Sequence, residues 1–380
     1  MRKIMAIICS ILMISQTIFA TELTQISAAS AIVIEMNSQR ILYNKNSDSK
    51  MPMASTTKIM TAIVALDSGK IKDTVTISKH AATTEGSSMY LTEGEKISME
   101  NLLYGLMLVS GNDAACAIAE YIAGDEIKFA EIMNAKAKEI GAVNTNFVTP
   151  HGLPNENHYS TSLDMAKITA YGLKNPKFAE IVATKTKKIP QDGKEYDREL
   201  HNHNKLLDSY DGCIGVKTGF TKAAGRCLVS AATKNGMTLI CVTLNAPNDW
   251  NDHKILYDDM FTKYTGVKVM SITDECGEVF VSGGDKKTVD VIPKEEVYFP
   301  LAKGEKFTLN NHMKRELKAP LIRGDVVGYN SVGVEGEEFG MFELVAAKNV
   351  NMENFGFPKS KKTFQTYLQN VYRKWIGVYD

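Results

Sequence analysis

A serine and a lysine lie three positions apart in the stretch 52–60, as Ser55 and Lys58. Serine becomes an effective nucleophile when a nearby base takes its proton, and a lysine amine can be that base once burial or a neighbouring cation lowers its pKa. On a helix, positions i and i+3 share one face, so the Lys58 amine can reach the Ser55 hydroxyl. The pair therefore indicates covalent catalysis by an activated serine.

The neighbouring residues predict that this pair opens a buried helix. Pro52 and a Ser/Thr cluster are typical of a helix start, Gly69 is typical of its end, and apolar residues between them run almost all round the helix. The competing interpretation is an ordinary Ser/Thr cap on a core helix. A second Ser-x-x-Lys, from Ser47 to Lys50, lies in a polar turn, and we interpret it as a chance match.

A second motif, Ser110-Gly111-Asn112, separates two stretches of helical periodicity, 99–109 and 113–122. Side chains at such a break can project from a turn into a cleft. Taken alone, the motif is equally well explained as the joint between two helices.

A third motif, Lys217-Thr218-Gly219, lies in a predicted strand over residues 214–221. A lysine and a threonine on an edge strand can hold a carboxylate, and a glycine beside them lets the backbone of a ligand approach closely. A strand with a surface lysine is the ordinary explanation. The functional interpretation of the three motifs is better supported because they occur together in one chain.

Composition and the N-terminus indicate an exported globular protein. The 380 residues carry a formal net charge of +0 and are long enough for two or three domains. Residues 1–20 combine a basic start, a short apolar run and Ala20, which is typical of a secretory signal peptide cleaved after Ala20, with Ala29 as a second candidate site. The run is too short and too polar to predict a transmembrane helix. The charge balance predicts no nucleic-acid partner.

The cysteines and histidines predict neither a disulfide framework nor a metal site. One of the six cysteines, Cys9, leaves with the signal, and the remaining odd number is irregularly spaced and mostly flanked by apolar residues. We therefore expect unpaired thiols. The sequence has no zinc-type cysteine spacing, and the two histidines at 201–203 are more typical of a strand or loop than of metal ligands. We expect no metal and no cofactor.

The order of the predicted elements indicates an α+β fold. Strand-rich hairpins at 31–43 and 226–244 enclose helical patterns, which predicts an antiparallel sheet covered by helices in a catalytic domain over residues 21–266. Residues 267–358 carry short β runs separated by glycine, proline and charges, which predicts a small all-β C-terminal domain. Residues 359–380 predict a terminal amphipathic helix.

Together and in this order, Ser-x-x-Lys, Ser-x-Asn and Lys-Thr-Gly resemble the motif set of the serine penicillin-binding proteins and β-lactamases. Ser-Gly-Asn is similar to the form in the low-molecular-mass D-alanyl-D-alanine carboxypeptidases. Residues 25–265 resemble that family specifically, whereas the later β domain and terminal helix match its layout more than its motifs. Further stretches carry the likeness, at 54–61, 110–114, 151–153, 158–166 and 215–219.

The resemblance implies a penicillin-binding protein/β-lactamase-like fold and a serine-type D-Ala-D-Ala carboxypeptidase. Such an enzyme removes the terminal D-alanine from peptidoglycan stem peptides through an acyl-enzyme, and β-lactam antibiotics acylate it. Ser55 would attack the carbonyl of the penultimate D-alanine, Lys58 would take its proton, and Ser110 would relay a proton to the leaving amine. The substrate-binding residues implied are Asn112 for the peptide, Lys217 and Thr218 for the terminal carboxylate, Gly219 for close approach, and Phe220, whose backbone N–H would stabilise the oxyanion together with that of Ser55.

One stretch departs from the family pattern. Some members carry an arginine, thought to contact the substrate carboxylate, in the loop after the last hairpin, whereas residues 246–252 contain none. Carboxylate binding then rests on Lys217 and Thr218 alone or involves Arg226, and both possibilities stay open.

Three other functions compete with the carboxypeptidase. A β-lactamase needs a general base for fast deacylation, and no Glu-x-x-x-Asn stretch after Asn112 suits that role. A peptidoglycan DD-endopeptidase would use the same nucleophile. A non-enzymatic wall-binding protein is disfavoured because the three motifs are intact.

The C-terminal residues 359–380 predict attachment to a membrane surface. Their apolar stripe is too short and too one-sided to span a bilayer, and it is flanked by basic residues and rich in Tyr and Trp, which favour the water–lipid boundary. The alternative is a capping helix packed on the β domain. We expect an exported protein on the outer face of the cytoplasmic membrane, facing the cell wall. The stripe comprises Phe364, Tyr367, Leu368, Val371, Tyr372, Trp375 and Ile376.

Overall fold

Strand-forming runs from both ends of the N-terminal region pair with each other in one sheet. The computed structural model describes residues 26–353 and 361–375, so the predicted signal peptide, residues 1–20, lies outside the described residues. The strands of this region are β1 (Ser30–Glu35), β2 (Ile41–Lys45), β3 (Thr74–Thr76), β4 (Lys96–Ser98), β5 (Thr186–Ile189), β6 (Arg198–His201), β7 (Cys213–Thr221), β8 (Gly225–Lys234) and β9 (Met237–Leu244).

The main sheet has the order β2-β1-β9-β8-β7, with every neighbouring pair antiparallel and β7 at one edge. At the β8–β9 turn, Asn235 and Gly236 have φ of 51° and 75°. Two consecutive positive φ angles make the hairpin turn whose twist matches the strands, which is why Asn-Gly occurs there. The sheet is completed by β1 pairing with β9 from Ser30 opposite Leu244 to Glu35 opposite Leu239.

Helices bury both faces of this sheet. Successive strand side chains point to opposite faces, so Ile32 and Ile34 of β1 join one apolar cluster while Ala31 and Val33 join another. The second cluster also contains Leu256, which comes from the last helix of the region. The helices are α1 (Lys58–Asp67), α2 (Lys79–Ala82), α3 (Met99–Leu108), α4 (Asn112–Ala123), α5 (Glu126–Ile140), α6 (Ser162–Leu173), α7 (Pro176–Ala183), α8 (Leu206–Ser209) and α9 (Asp249–Lys263).

The C-terminal region is all β, and this confirms the predicted fold class of an α+β region followed by a small β domain. Its main sheet has the order β14-β16-β17-β12-β11-β15, and β10 pairs with β13 in a separate ribbon. The strands are β10 (Tyr264–Met270), β11 (Gly277–Ser282), β12 (Thr288–Pro293), β13 (Val297–Ala302), β14 (Phe307–Met313), β15 (Glu316–Lys318), β16 (Val326–Val334) and β17 (Glu337–Ala346). A further helix, α10, covers Lys361–Trp375.

Some local structure differs from the expectation. The helix predicted to open before Ser55 instead begins at Lys58, preceded by a 3₁₀ turn over Ala54–Thr57. The short strand β4 and the β5–β6 hairpin were not predicted. These strands are three or four residues long, too short to show a two-residue hydrophobic period.

Arg40, in the turn before β2, joins the two regions. Its Nη1 donates to the carbonyl of Pro300 at 2.6 Å. Its guanidinium forms a bidentate ion pair with Glu305, with Nη1 2.8 Å from Oε2 and Nη2 2.6 Å from Oε1. The two side chains are only 10% and 16% exposed. The guanidinium also lies 5.4 to 5.5 Å from the ring centres of Tyr264, Phe299 and Phe339. An enclosed pair of this kind is costly to break, because the remaining charge stays desolvated.

We expect Arg40→Met to lower the free energy of unfolding by about 3 kcal/mol, the cost of stranding a largely enclosed carboxylate. Lys268→Met is the matched control, since Lys268 and Glu296 form an exposed pair, 44% and 42% accessible, and solvent screens such pairs so that they contribute little to stability. Urea unfolding of both variants measures the difference. Equal losses would show that Arg40 does not hold the regions together.

Candidate active site

A short 3₁₀ turn places Ser55 directly before α1. Ala54 has a φ of 48°, a conformation that non-glycine residues rarely adopt, and the following side chains hold it there. The Thr57 hydroxyl donates to the carbonyl of Ala54 at 2.7 Å and lies 2.8 Å from Nε2 of His158. The position of the serine is thus fixed by the backbone before it and the helix after it.

His158 is a neutral support for this turn. Its Nδ1 accepts from the backbone N–H of Val148 at 2.9 Å, so Nε2 carries the proton and donates to Thr57. Burial lowers the pKa of His158 to about 4, which keeps the ring neutral at physiological pH. Gly152, with a φ of 88°, passes so close that an added Cβ would lie 2.0 Å from the carbonyl oxygen of Ala54. A side chain there would displace the turn that carries Ser55.

The Lys58 amine points back at the serine, as the i, i+3 spacing predicts. Its Nζ donates to Ser55 Oγ at 2.9 Å, to Asn112 Oδ1 at 2.7 Å and to the backbone carbonyl of His151 at 2.8 Å. The residue is completely buried. All three acceptors are neutral oxygens, so the amine is held firmly without an ion-pair partner among them.

This environment disfavours the charged form of Lys58. Burial is the main cause that places the pKa of Lys58 well below its ordinary value, and the positive charge of Lys217 lowers it further. The carboxylate of Asp113 acts in the opposite direction. Lowering the pKa favours the neutral amine, the form that can accept a proton from the Ser55 hydroxyl, as the sequence analysis required.

The Ser110-Gly111-Asn112 turn joins α3 to α4 at the edge of the site. Ser110 has a φ of 62°, and its hydroxyl is buried without a hydrogen-bond partner among the described residues. Both amide atoms of Asn112 are engaged, since Oδ1 accepts from Lys58 and Nδ2 donates to the carbonyl of Glu85 at 2.7 Å. The turn therefore supplies one unused hydroxyl and one amide that orients the lysine.

Strand β7 closes the opposite side. Lys217 is 1% exposed, burial lowers its pKa to about 7, and its Nζ donates to the carbonyl of Thr218 at 2.9 Å. An added Cβ on Gly219 would lie 3.1 Å from the backbone nitrogen of Ser55, so the missing side chain lets β7 run directly beside the 3₁₀ turn. Phe220, by contrast, is 64% exposed.

An open cleft of about 830 Å³ lies over these residues and includes Ser55, Ser110, Thr218, Gly219 and Phe220 in its walls. Lys58, Asn112 and Lys217 lie buried behind them. The structure thus brings all eight predicted site residues together, and their individual roles remain predictions. Sequence reasoning missed further residues that line the cleft, among them Ser87, Asn202, His203, Lys205, Asp249 and Trp250.

Arg226, which the sequence could not place, also lines the cleft. Its Nε and one terminal nitrogen each lie 2.9 Å from Oδ1 of Asp249, and its guanidinium lies over the Trp250 ring at 5.7 Å. The Arg226 charge is thus already paired. The backbone carbonyl of His151 was also missed, because a main-chain acceptor leaves no mark in a sequence, although residues 151–153 did contribute to the resemblance.

Comparison with known proteins identifies the family. The profile of the D-alanyl-D-alanine carboxypeptidase family matches residues 16–248, and that of the penicillin-binding protein 5 C-terminal domain matches residues 264–352. The chain belongs to the D-alanyl-D-alanine carboxypeptidase family of serine peptidases.

Individual relatives align with this chain over nearly its whole length. The chain is 34% identical over 369 residues to D-alanyl-D-alanine carboxypeptidase DacF of Bacillus subtilis (strain 168), covering 92% of this chain and 90% of the relative. It is 31% identical over 373 residues to DacA of Escherichia coli (strain K12), covering 93% and 90%. The solved structure of penicillin-binding protein 5 from Haemophilus influenzae is similar with a TM-score of 0.68 and 33% identity, covering 86% of this chain and 98% of that one.

The charge of Lys217 should set the pH dependence of serine acylation. Because that charge lowers the pKa of Lys58, Lys217→Gln should raise it, and the acid limb of the penicillin acylation rate should move to higher pH. Lys205→Gln is the matched control, a lysine that lines the same cleft. An acid limb that moves equally in both variants, or in neither, would contradict the assigned coupling.

Proposed function

We propose that this protein is a serine-type D-Ala-D-Ala carboxypeptidase that trims the terminal D-alanine from peptidoglycan stem peptides. The family supplies the reaction class, and one observation carries the mechanism: Ser55 Oγ lies 2.9 Å from the amine of Lys58, whose burial disfavours its protonated form. This arrangement supplies a nucleophile and its base without a histidine.

Acylation then proceeds in two stages. Ser55 Oγ attacks the carbonyl carbon of the penultimate D-alanine while its proton passes to Lys58. The oxyanion accepts hydrogen bonds from the backbone N–H groups of Ser55 and Phe220. Ser55 lies in the 3₁₀ turn and Phe220 in β7, and Gly219 allows these two segments to run side by side. When the C–N bond breaks, the departing D-alanine amine takes up the proton and leaves an ester on Ser55. Water later hydrolyses that ester and regenerates the serine.

Ser110 relays the proton to the leaving amine in this proposal. Its hydroxyl is buried, borders the cleft and has no partner within the described residues, so it is free to accept one hydrogen bond and donate another during the reaction. Asn112 acts mainly on the base, because its amide oxygen is committed to Lys58. An additional bond to the substrate peptide requires its Nδ2 to leave Glu85.

The terminal carboxylate of the substrate binds at Lys217 and Thr218. Of the two possibilities left open by the sequence, this one is favoured because the Arg226 guanidinium is already paired with Asp249 at 2.9 Å. Thr218 lines the cleft, and the Lys217 amine bonds to its carbonyl, so cation and hydroxyl belong to one short strand segment. A carboxylate there gains charge-assisted hydrogen bonds.

Penicillin acylates the same serine in this proposal, since its β-lactam carbonyl meets the same nucleophile and base. A β-lactamase would then need a free general base to hydrolyse the adduct quickly. The carboxylate that lines the cleft, Asp249, is instead held by Arg226. The arrangement favours a long-lived adduct over rapid turnover.

The C-terminal helix attaches the exported enzyme to the outer face of the cytoplasmic membrane. In α10, side chains on one stripe are exposed, with Leu368 at 49%, Tyr372 at 61% and Trp375 at 82%. Among the described residues, none of the helices has the length and apolar character needed to cross a bilayer. An exposed apolar stripe rich in aromatic residues suits a helix that lies in the interface. Export rests on the predicted signal peptide at residues 1–20.

Acylation of Ser55 tests the proposed chemistry. Incubation with penicillin should add the mass of one penicillin to the peptide that contains Ser55, and Ser55→Ala should lose both the adduct and the release of D-alanine from a D-Ala-D-Ala peptide. Ser47→Ala is the matched control, because Ser47 and Lys50 form the second Ser-x-x-Lys of the chain. An adduct that survives Ser55→Ala would show that another residue is the nucleophile.

Membrane attachment has its own test. The protein without residues 359–380 should remain active in solution but no longer sediment with anionic liposomes, whereas the full-length protein should sediment and its tryptophan fluorescence should shift to the blue. Trp250→Phe removes the other tryptophan and assigns the signal to Trp375. Full-length protein that stays in solution, together with a truncation that unfolds, would make the helix a structural cap.

A further inference from the structure

A cluster of side chains of the types that can ligate transition metals lies outside the cleft. The ligand atoms of His80, Cys116 and Glu120 all lie within 4.8 Å of one another, the one such group of three or more found within residues 26–353 and 361–375. Glu126 extends the cluster, with Oε1 3.2 Å from Nε2 of His80 and a hydrogen bond to Cys116. Imidazole, thiol and carboxylate groups thus meet at one point.

Three helices bring these groups together. Cys116 and Glu120 are separated by one turn on the same face of α4, His80 lies in α2, and Glu126 opens α5. The carboxylate of Glu120 is oriented by the Ser78 hydroxyl at 2.6 Å and lies 3.7 Å from Cys116 Sγ. The buried Cys116 forms the floor, and the His80 side chain, 69% exposed, forms the solvent side.

A second histidine orients Glu126. His151 Nε2 lies 3.2 Å from Oε2 of Glu126, on the oxygen that does not face His80. A carboxylate fixed by a histidine on one oxygen, with its other oxygen turned to a cluster of donors, resembles the supporting contacts around bound metals. The backbone carbonyl of the same His151 accepts from Lys58, so the cluster lies directly behind the catalytic lysine.

We propose that His80, Cys116, Glu120 and Glu126 form a binding site for a divalent transition metal of the Zn²⁺ class. This proposal differs from the expectation, drawn from sequence spacing, that the chain holds no metal. The ligands come from three separate helices, so their spacing along the chain carries no metal-binding signature.

The chemistry of the donors selects the cation. A set of imidazole nitrogen, thiolate sulphur and carboxylate oxygen suits Zn²⁺ and Co²⁺, whereas Mg²⁺ and Ca²⁺ prefer oxygen ligands alone. Tetrahedral bonds of about 2.0–2.3 Å need the ligand atoms closer together than the separations of up to 4.8 Å in this cluster, and the exposed His80 can move inward.

Co²⁺ is the probe for this site, because a thiolate bound to Co²⁺ gives a charge-transfer absorption in the near ultraviolet. The full-length protein, stripped with a chelator and free of any histidine tag, should develop this band with one equivalent of Co²⁺ and lose it when Zn²⁺ is added. Cys116→Ser should abolish the band, and His80→Gln should weaken Co²⁺ binding at least about tenfold.

Matched controls come from a histidine and a cysteine outside the cluster. His201, 3.8 Å from Glu199, is an exposed histidine beside a carboxylate, and Cys276 is a half-buried free thiol. His201→Gln and Cys276→Ser should bind Co²⁺ like the parent protein. The proposal is overturned if the parent gives no band, if the band survives Cys116→Ser, or if His201→Gln weakens binding as much as His80→Gln. Acylation by penicillin checks that each variant is folded. If Cys116→Ser proves unstable, His80→Gln still tests the proposal, because it changes an exposed side chain.

Discussion

The site depends on the burial of one amine among neutral acceptors. Placing a charged ammonium in an apolar interior is costly unless a carboxylate compensates it, and the alternative is to lose the proton. The neutral Lys58 amine has two hydrogens, which it donates to the amide oxygen of Asn112 and the backbone carbonyl of His151, and its lone pair accepts from the Ser55 hydroxyl at 2.9 Å. Burial thus favours the neutral amine, the form that can accept the proton of the Ser55 hydroxyl.

Much of the surrounding structure maintains this geometry. Gly152 allows the chain that carries the His151 carbonyl to pass against Ala54, and Gly219 allows β7 to pass against Ser55. The bond from Thr57 to the Ala54 carbonyl holds the unusual backbone before the nucleophile. Gly152 and Gly219 lie far from Ser55 in the chain, so the catalytic pair depends on the tertiary fold as well as on its own helix.

The sequence could predict what depends on local spacing. The Ser55–Lys58 pair, the turn at Ser110 between two helices and the position of Lys217 on a strand each follow from a short pattern, and the two hairpins that form the main sheet carry clear strand and turn signals. The start of α1 at Lys58 was not predicted, and the 3₁₀ turn before it packs against His158, Gly152 and Gly219, which are distant in the chain.

Non-local contacts and main-chain acceptors could not be predicted from the sequence. Neither the carbonyl acceptor at His151 nor the pairing of Arg226 with Asp249 has a signature in residue spacing, and each appears only when the strands and helices are packed. The same holds for the cluster around Cys116, whose members come from three helices. The predicted domain boundaries and the individual roles of the site residues remain predictions.

The ionisation state of Lys58 tests the central claim most directly. Heteronuclear NMR of protein labelled at the lysine side chains reports the charge of each Nζ as pH is varied, and the signal missing from Lys58→Arg assigns the residue. The account predicts that Lys58 loses its proton at a pH well below the range in which surface lysines lose theirs. A Lys58 signal that remains that of an ammonium up to the ordinary lysine range would contradict it.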